Sequence, residues 1–81
     1  MTEAEIRDAV LEIIQDVAGL DEKPEVKGAD PLRDQLDLDS MDFLDIVMEL
    51  RKRHKIEVPE ADYPKLATLD STVEYIVGRQ G

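Results

Sequence analysis

The sequence predicts an all-α fold, a small bundle of three longer helices plus one short helix, with a long loop between helices one and two. Three stretches repeat apolar residues at helical spacing, and each begins at a residue that can cap a helix. Only residues 56–58 alternate like a strand, and no second segment is suited to pair with them. A chain of 81 residues forms one domain, residues 1–81, with a single modest core.

The first helix is predicted over residues 3–18. Thr2 and Glu5 stand in the order of a capping box, in which each side chain bonds the other residue's backbone N–H. Gly19 is the expected end of the helix. An apolar face recurs every three or four residues and is widened by two neighbours; it comprises Ile6, Val10, Leu11, Ile13, Ile14, Val17 and Leu20.

Residues 19–35 form the predicted loop, because two glycines and two prolines break any long element there. Asp30 is expected to cap a short helical turn with Pro31 at its first position. Leu32 and Leu36 then fix the loop to the core.

The central helix is predicted to start at Asp39 or Ser40 and to run to about His54. Both first residues are good N-caps, and Asp42 adds negative charge to the first turn. Pro59 prevents the helix from continuing. Cations suit the dipole at the other end of the helix, where the sequence has Arg51, Lys52, Arg53 and Lys55.

The segment after the central helix is interpreted as a linker that buries Ile56 and Val58. Residues 59–66 are expected to hold at most two helical turns, interrupted at Tyr63-Pro64 because a residue before proline avoids the helical region. The last helix is predicted from its cap at Thr68 to an end at Gly78. One side of this helix carries its apolar residues Leu69, Val73, Ile76 and Val77.

The central helix has two apolar stripes, although a core requires only one. On a helical wheel the core-facing group comprises Phe43, Ile46, Val47 and Leu50. The second stripe, turned by roughly 100–160° from Phe43, comprises Met41, Leu44 and Met48. Acidic residues border this second stripe. It either packs against the long loop and the short helix or contacts another protein.

Composition restricts the class of partner. The chain has twenty acidic and ten basic residues, for a net charge of -10, which repels nucleic acids and anionic lipid and attracts basic protein surfaces. With one Phe, two Tyr and no Trp, it also lacks residues for stacking bases. Neither a membrane span of roughly 20 apolar residues nor a signal peptide is evident, so we expect a cytoplasmic protein without membrane insertion.

Catalysis and metal binding by the chain itself are not predicted. The single histidine, His54, lies about 20 Å along the helix axis from Ser40, too far for a Ser–His pair. There is no cysteine for a thiolate site. The segment Asp37-Leu38-Asp39 starts like a calcium-binding loop, but the residues after it fail that pattern at three positions.

Ser40 is either an N-cap or a site for a phosphate ester, since a helix N-terminus stabilises both arrangements. Residues 36–42, which read Leu-Asp-Leu-Asp-Ser-Met-Asp, resemble the Asp-Ser-Leu attachment motif of acyl carrier proteins. The helix order, the length and the acidity extend this resemblance over most of the chain. It implies a discrete carrier whose Ser40 bears 4′-phosphopantetheine, added from coenzyme A by a phosphopantetheinyl transferase. The thiol of this arm then holds an intermediate as a thioester.

The resemblance also implies that the surface around Ser40 contacts acyl-loading and acyl-processing enzymes with basic surfaces. The partner-binding residues would be Asp39, Met41, Asp42, Leu44, Asp45, Met48 and Glu49. Phe43, Ile46 and Val47 would line a shallow interior that shelters part of an acyl chain. We expect a monomer, and fatty acyl, polyketide and aminoacyl cargoes all remain open.

Several residues depart from the family pattern. Asp37 stands where many members have glycine, and Met41 replaces leucine with little change in volume. The basic cluster at residues 51–55 and Pro64 indicate a specialised carrier. An alternative from another class is an unmodified helical adaptor that binds a basic, apolar groove through the second stripe, for which Ser40 is dispensable.

Overall fold

The computed structural model describes residues 2–80, with the side chain of Gln80 excepted, and this part of the chain is helical without a β-strand. The helices are α1 (Glu3–Ala18), α2 (Leu32–Leu36), α3 (Ser40–His54), a 3₁₀ helix (Glu60–Leu66) and α4 (Leu69–Gln80). The all-α prediction is confirmed. Two short helices occur, α2 and the 3₁₀ helix; the sequence predicted the second as a short helix and the first only as a helical turn.

Helix α1 has its predicted boundaries and its predicted cap. The Thr2 hydroxyl accepts from the Glu5 N–H at 3.2 Å, and the Thr2 N–H donates to the Glu5 carboxylate at 2.8 Å. The bond from the Thr2 N–H to the carboxylate lowers the pKa of Glu5. Gly19 ends the helix with a φ of 69°, in the left-handed region that glycine adopts without strain. The buried residues of the apolar face are Ile6, Val10, Ile13 and Ile14. Leu11 and Val17 are half-buried, and Leu20 is exposed.

Helix α2 begins one residue later than predicted, and the expected Asp30 cap is wrong. Pro31 is the N-cap residue and makes no side-chain cap bond. The first N–H groups of a helix have no acceptor within the helix itself. Here the Leu32 N–H donates to the carbonyl of Ala67 at 2.8 Å. Tertiary contact thus replaces the local cap. Leu32 is buried and Leu36 packs against the core, as predicted.

The core lies between α1, α3 and α4, with α1 packed against both other long helices. Ile13, Ile14 and Leu50 are fully buried there, and Ile76 joins them from α4. The Ile56 and Val58 side chains of the linker are also buried, which confirms their predicted role. The 3₁₀ helix packs on α4 and covers the remaining side of the bundle.

Two predicted breaks do not occur. Pro64 lies inside the 3₁₀ helix, because proline's fixed φ near −65° fits 3₁₀ geometry and only one N–H is lost. Gly78 lies inside α4, which continues to Gln80 without a left-handed residue at Gly78. The Thr68 cap is confirmed, since its hydroxyl accepts from the Ser71 N–H at 3.0 Å. Val77 is 43% exposed and lies at the edge of the buried face.

No helix in residues 2–80 combines the length and the hydrophobicity that crossing a membrane requires.

Candidate functional site

Ser40 is the first residue of α3, and Asp39 rather than Ser40 caps the helix. The Asp39 carboxylate accepts from the Asp42 N–H at 2.9 Å, and the Asp39 N–H donates to the Asp42 carboxylate at 3.1 Å. The two aspartates therefore form a reciprocal capping box. The exposed Ser40 hydroxyl makes no hydrogen bond to another group within residues 2–80, so the fold leaves it available for chemistry.

The turn between α2 and α3 presents Ser40. Asp37 has a φ of 53°, and its N–H donates to the carbonyl of Arg33 at the end of α2. Glycine is favoured in this left-handed region and aspartate is tolerated, so Asp37 can adopt the conformation that the turn requires. Leu38 follows, with 4% of its surface exposed, and ties the turn to the core.

Beside Ser40 lies an open cleft of about 390 Å³. It runs between the start of α3 and the 3₁₀ helix, and its wall is mainly apolar. The lining residues are Pro31, Arg33, Ser40, Phe43, Tyr63, Pro64 and Ala67. Phe43 was predictable from the sequence as a lining residue. Arg33 and Tyr63 were not, because they come from other segments and carry no local signal of a shared site.

Ile46 and Val47, which were predicted with Phe43 to line an interior for an acyl chain, do not line this cleft. Ile46 is 3% exposed and lies in the core. Val47 borders a different cleft of about 440 Å³, together with Met48, Val58 and Tyr63. Phe43 is one turn nearer to the N-terminus of α3 and is only partly buried, so it alone of the three predicted residues reaches the space beside Ser40.

The second apolar stripe of α3 is exposed. Met41 is 72%, Leu44 44% and Met48 58% accessible to solvent, whereas Val47 on the core side is 9% accessible. Neither the long loop nor the 3₁₀ helix covers the stripe. This excludes internal packing as the reason for its apolar residues.

The acidic residues around this stripe differ in their bonding. Asp39 and Asp42 form the cap, and Glu49 binds Arg53 at 3.0 Å. Asp45 is exposed and takes part in no ion pair or side-chain hydrogen bond within residues 2–80. Asp45 is therefore the member of this rim with its full charge free to act on a partner.

Part of the basic cluster at the end of α3 has a structural role. Arg53 bonds Asp16 of α1 at 2.6 Å as well as Glu49 of its own helix, and these bonds raise the pKa of the guanidinium. Arg51 lies 3.9 Å from Glu57. Arg53 thus connects α1 to α3, so this cation contributes to the bundle rather than to the surface around Ser40.

Comparison with known proteins supports the sequence resemblance. Residues 8–76 match the family model described as the phosphopantetheine attachment site. An acyl carrier protein of Chlorobium luteolum is 38% identical over 77 residues, which span 95% of this chain and 97% of the relative. Another, from Rubrobacter xylanophilus, is 34% identical over 80 residues, or 99% of this chain and 98% of the relative.

In the part of the chain that the structure describes, no three His, Cys, Asp or Glu side chains are grouped so as to hold a metal ion.

Proposed function

The chain belongs to the acyl carrier protein family, defined by the phosphopantetheine attachment site, and on that premise we propose that Ser40 is the residue that bears its covalent 4′-phosphopantetheine. One observation carries this assignment: Ser40 is exposed at the start of α3 with its hydroxyl unused, because Asp39 has taken the cap. The carrier function gives the free hydroxyl a purpose that helix stability does not.

The surroundings of Ser40 fit the group. The first N–H groups of an α-helix point outward and favour negative charge, which suits a phosphate ester on the first residue. The apolar cleft beside Ser40 provides partial shelter for an organic arm. When bound, the group supplies a thiol, which a chain without cysteine lacks, and holds acyl groups on it as thioesters.

The attachment reaction joins the Ser40 oxygen to the phosphorus of the pantetheine phosphate of coenzyme A, with the nucleotide portion as leaving group. A separate phosphopantetheinyl transferase performs this step, and the Ser40 proton passes to a base on that enzyme. The residues of this chain hold the hydroxyl in an accessible position: Asp39 and Asp42 cap the helix and Asp37 shapes the turn before it.

We propose that the exposed stripe and its acidic rim bind the transferase and the enzymes that load and process the acyl group. Met41, Leu44 and Met48 offer an adaptable apolar contact within one helix length of Ser40. Asp45 adds an uncompensated negative charge that attracts basic surfaces. An adaptor that needs no modification would use the same stripe, but membership in a carrier family makes that alternative unnecessary.

The test is modification in vitro. Incubation with coenzyme A and a broad-range transferase is expected to add the mass of one phosphopantetheinyl group to the wild-type protein and none to Ser40→Ala. Ser71→Ala is the matched control, since Ser71 is the other serine in the chain and belongs to the α4 cap. The assignment is wrong if Ser40→Ala still gains the group while Ser71→Ala does not.

The contribution of the stripe is measured separately on the same reaction. Leu44→Glu, at an exposed position, is expected to raise KM for the carrier with the transferase without unfolding the protein. Val77→Glu, on another helix with 43% exposure, serves as its control. If Leu44→Glu and Val77→Glu change this KM equally, Leu44 is not part of the surface that binds the transferase.

A further inference from the structure

Arg33 is the one basic residue between Asp30 and Glu49, a stretch with seven carboxylates. Arg33 is the second residue of α2, and its backbone carbonyl accepts hydrogen bonds from the turn that follows this short helix. Its side chain is exposed and lines the cleft that also contains Ser40. An arginine thus lines the same apolar cleft as the proposed attachment serine.

The bonding of Arg33 is unusual within this molecule. Arg7, Arg51 and Arg53 each lie within ion-pair distance of at least one carboxylate, and Arg79 stacks on the ring of Tyr75. Arg33 has no carboxylate within ion-pair distance and no aromatic ring beneath it in residues 2–80. Within residues 2–80, Arg33 is therefore an arginine in the most acidic part of the sequence that forms no ion pair there and that lines the cleft beside Ser40.

The negative charges at the start of α3 would repel a phosphate on Ser40 unless a nearby cation offset them. Asp39 and Asp42 lie on either side of Ser40 in the chain, and both carboxylates are held at the first turn by the cap. An ester phosphate on Ser40 adds a third negative charge there, and like charges repel strongly at short range. The helix dipole offsets only part of this repulsion.

We propose that Arg33 binds the phosphodiester on Ser40 and so positions the arm along the cleft, an inference that rests on the proposed attachment at Ser40. Arginine suits this role, since its planar fork of donors matches two phosphate oxygens and its charge is permanent. Arg33 acts here as a positioning residue. Its effect is on the orientation and mobility of the arm, not on the accessibility of the serine.

A carboxylate at the end of an acidic acyl group is a second oxyanion that a guanidinium could bind. The phosphodiester is favoured, because Ser40 itself lines the cleft with Arg33 whereas the cargo is attached at the far end of the arm. The two sources are separable: the unloaded arm contains only the phosphodiester, and a succinyl-loaded arm contains both anions.

The experiment measures the ³¹P NMR signal of the modified protein with the arm unloaded, in the wild type, Arg33→Gln and Arg33→Lys. We expect Arg33→Gln to change the phosphorus chemical shift and to narrow the line, because the released arm is more mobile, and Arg33→Lys to have a smaller effect. Arg51→Gln is the control, since it removes an exposed arginine outside the cleft. High salt should reduce the difference between wild type and Arg33→Gln.

The outcomes separate this inference from the function on which it rests. If neither the wild type nor any variant acquires a protein-bound phosphorus signal, the assignment of the attachment to Ser40 is wrong. The proposed role of Arg33 is then wrong as well. If the signal is present but identical in wild type, Arg33→Gln and Arg51→Gln, the inference about Arg33 alone is wrong. Dependence on Arg33 that emerges only with the succinyl-loaded arm also overturns it, in favour of the cargo carboxylate.

Discussion

At the scale of single residues, a hydrogen bond between Tyr75 and Asp62 holds the 3₁₀ helix against α4. The Tyr75 hydroxyl donates to the Asp62 carboxylate at 2.6 Å, and Lys65 and Arg79 lie 5.7 and 5.5 Å from the ring centre. The bond lowers the pKa of Asp62. Burial raises the pKa of Tyr75, and the bond to Asp62 raises it further. Tyr63 lines the cleft beside Ser40, so this bond also stabilises one of its walls.

We expect Tyr75→Phe to destabilise the protein in a pH-dependent manner. A lowered pKa for Asp62 means that the bond stabilises the fold above the ordinary value of 3.8 and that this contribution is lost as the pH falls through the folded-state pKa. The raised pKa of Tyr75 keeps the contribution present up to about pH 10, beyond which it is lost.

Chemical denaturation of wild type and Tyr75→Phe at several pH values measures this effect. The difference in the free energy of unfolding should be present at neutral pH and should shrink toward zero in acid. Tyr63→Phe is the control, because the Tyr63 hydroxyl has no hydrogen-bond partner within residues 2–80. A difference that persists unchanged at low pH would mean that Tyr75 acts through packing alone.

At the scale of helices, two glycines with empty surroundings have opposite roles. Apart from the adjacent residues and the backbone of the same helix, no atom lies within 4 Å of the position that a Cβ would occupy at Gly19 or Gly78. Gly19 has a φ of 69° and ends α1, whereas Gly78 lies in the last turns of α4. Space therefore permits alanine at both sites, and backbone conformation alone distinguishes them.

We predict that Gly19→Ala destabilises the fold by about 1 kcal/mol, because a side chain disfavours the left-handed region. Gly78→Ala is predicted to stabilise it by about 0.5 kcal/mol, since alanine loses less conformational entropy in a helix. Thermal or urea denaturation of the two variants beside the wild type is the measurement. Changes of the same sign in both variants would contradict the assignment of Gly78 to the helix interior.

At the scale of the whole molecule, the two ends of α3 have opposite electrostatic character. The N-terminal part carries Ser40, the exposed stripe and the unpaired Asp45, while the C-terminal part carries the basic cluster. Arg53 is bound to α1, so the positive end is partly neutralised within the fold. With a net charge of -10, the negative electrostatic potential of the protein is therefore strongest around Ser40.

Association with a basic partner should depend on ionic strength. We expect the association rate constant with the transferase to fall clearly between low and physiological salt. Asp45→Asn should lower the low-salt rate roughly twofold or more, because one uncompensated charge is lost near the contact. Glu74→Gln removes one exposed charge from α4 and should have little effect. Stopped-flow measurements with equal rates for these two variants would remove Asp45 from the steering surface.

The sequence correctly predicted the features that depend on interactions between residues close together in the chain, and not those that depend on distant residues. The boundaries of α1 and the start of α3 were predictable, because Thr2 with Glu5 and Asp39 with Asp42 are local caps. The start of α2 was not, since Leu32 is held by Ala67, more than thirty positions away in the chain.

The sequence by itself determined the helical class, the core face of α3 and the serine at the head of a second apolar stripe. All three follow from helical periodicity and capping, which operate over a few residues. Only the tertiary structure decided where α2 begins, that the second stripe is exposed, that Gly78 stays helical, and that Arg33, Ser40 and Tyr63 share one cleft. A shared wall depends on how α2, α3 and the 3₁₀ helix pack, and packing leaves no periodic signal in the chain.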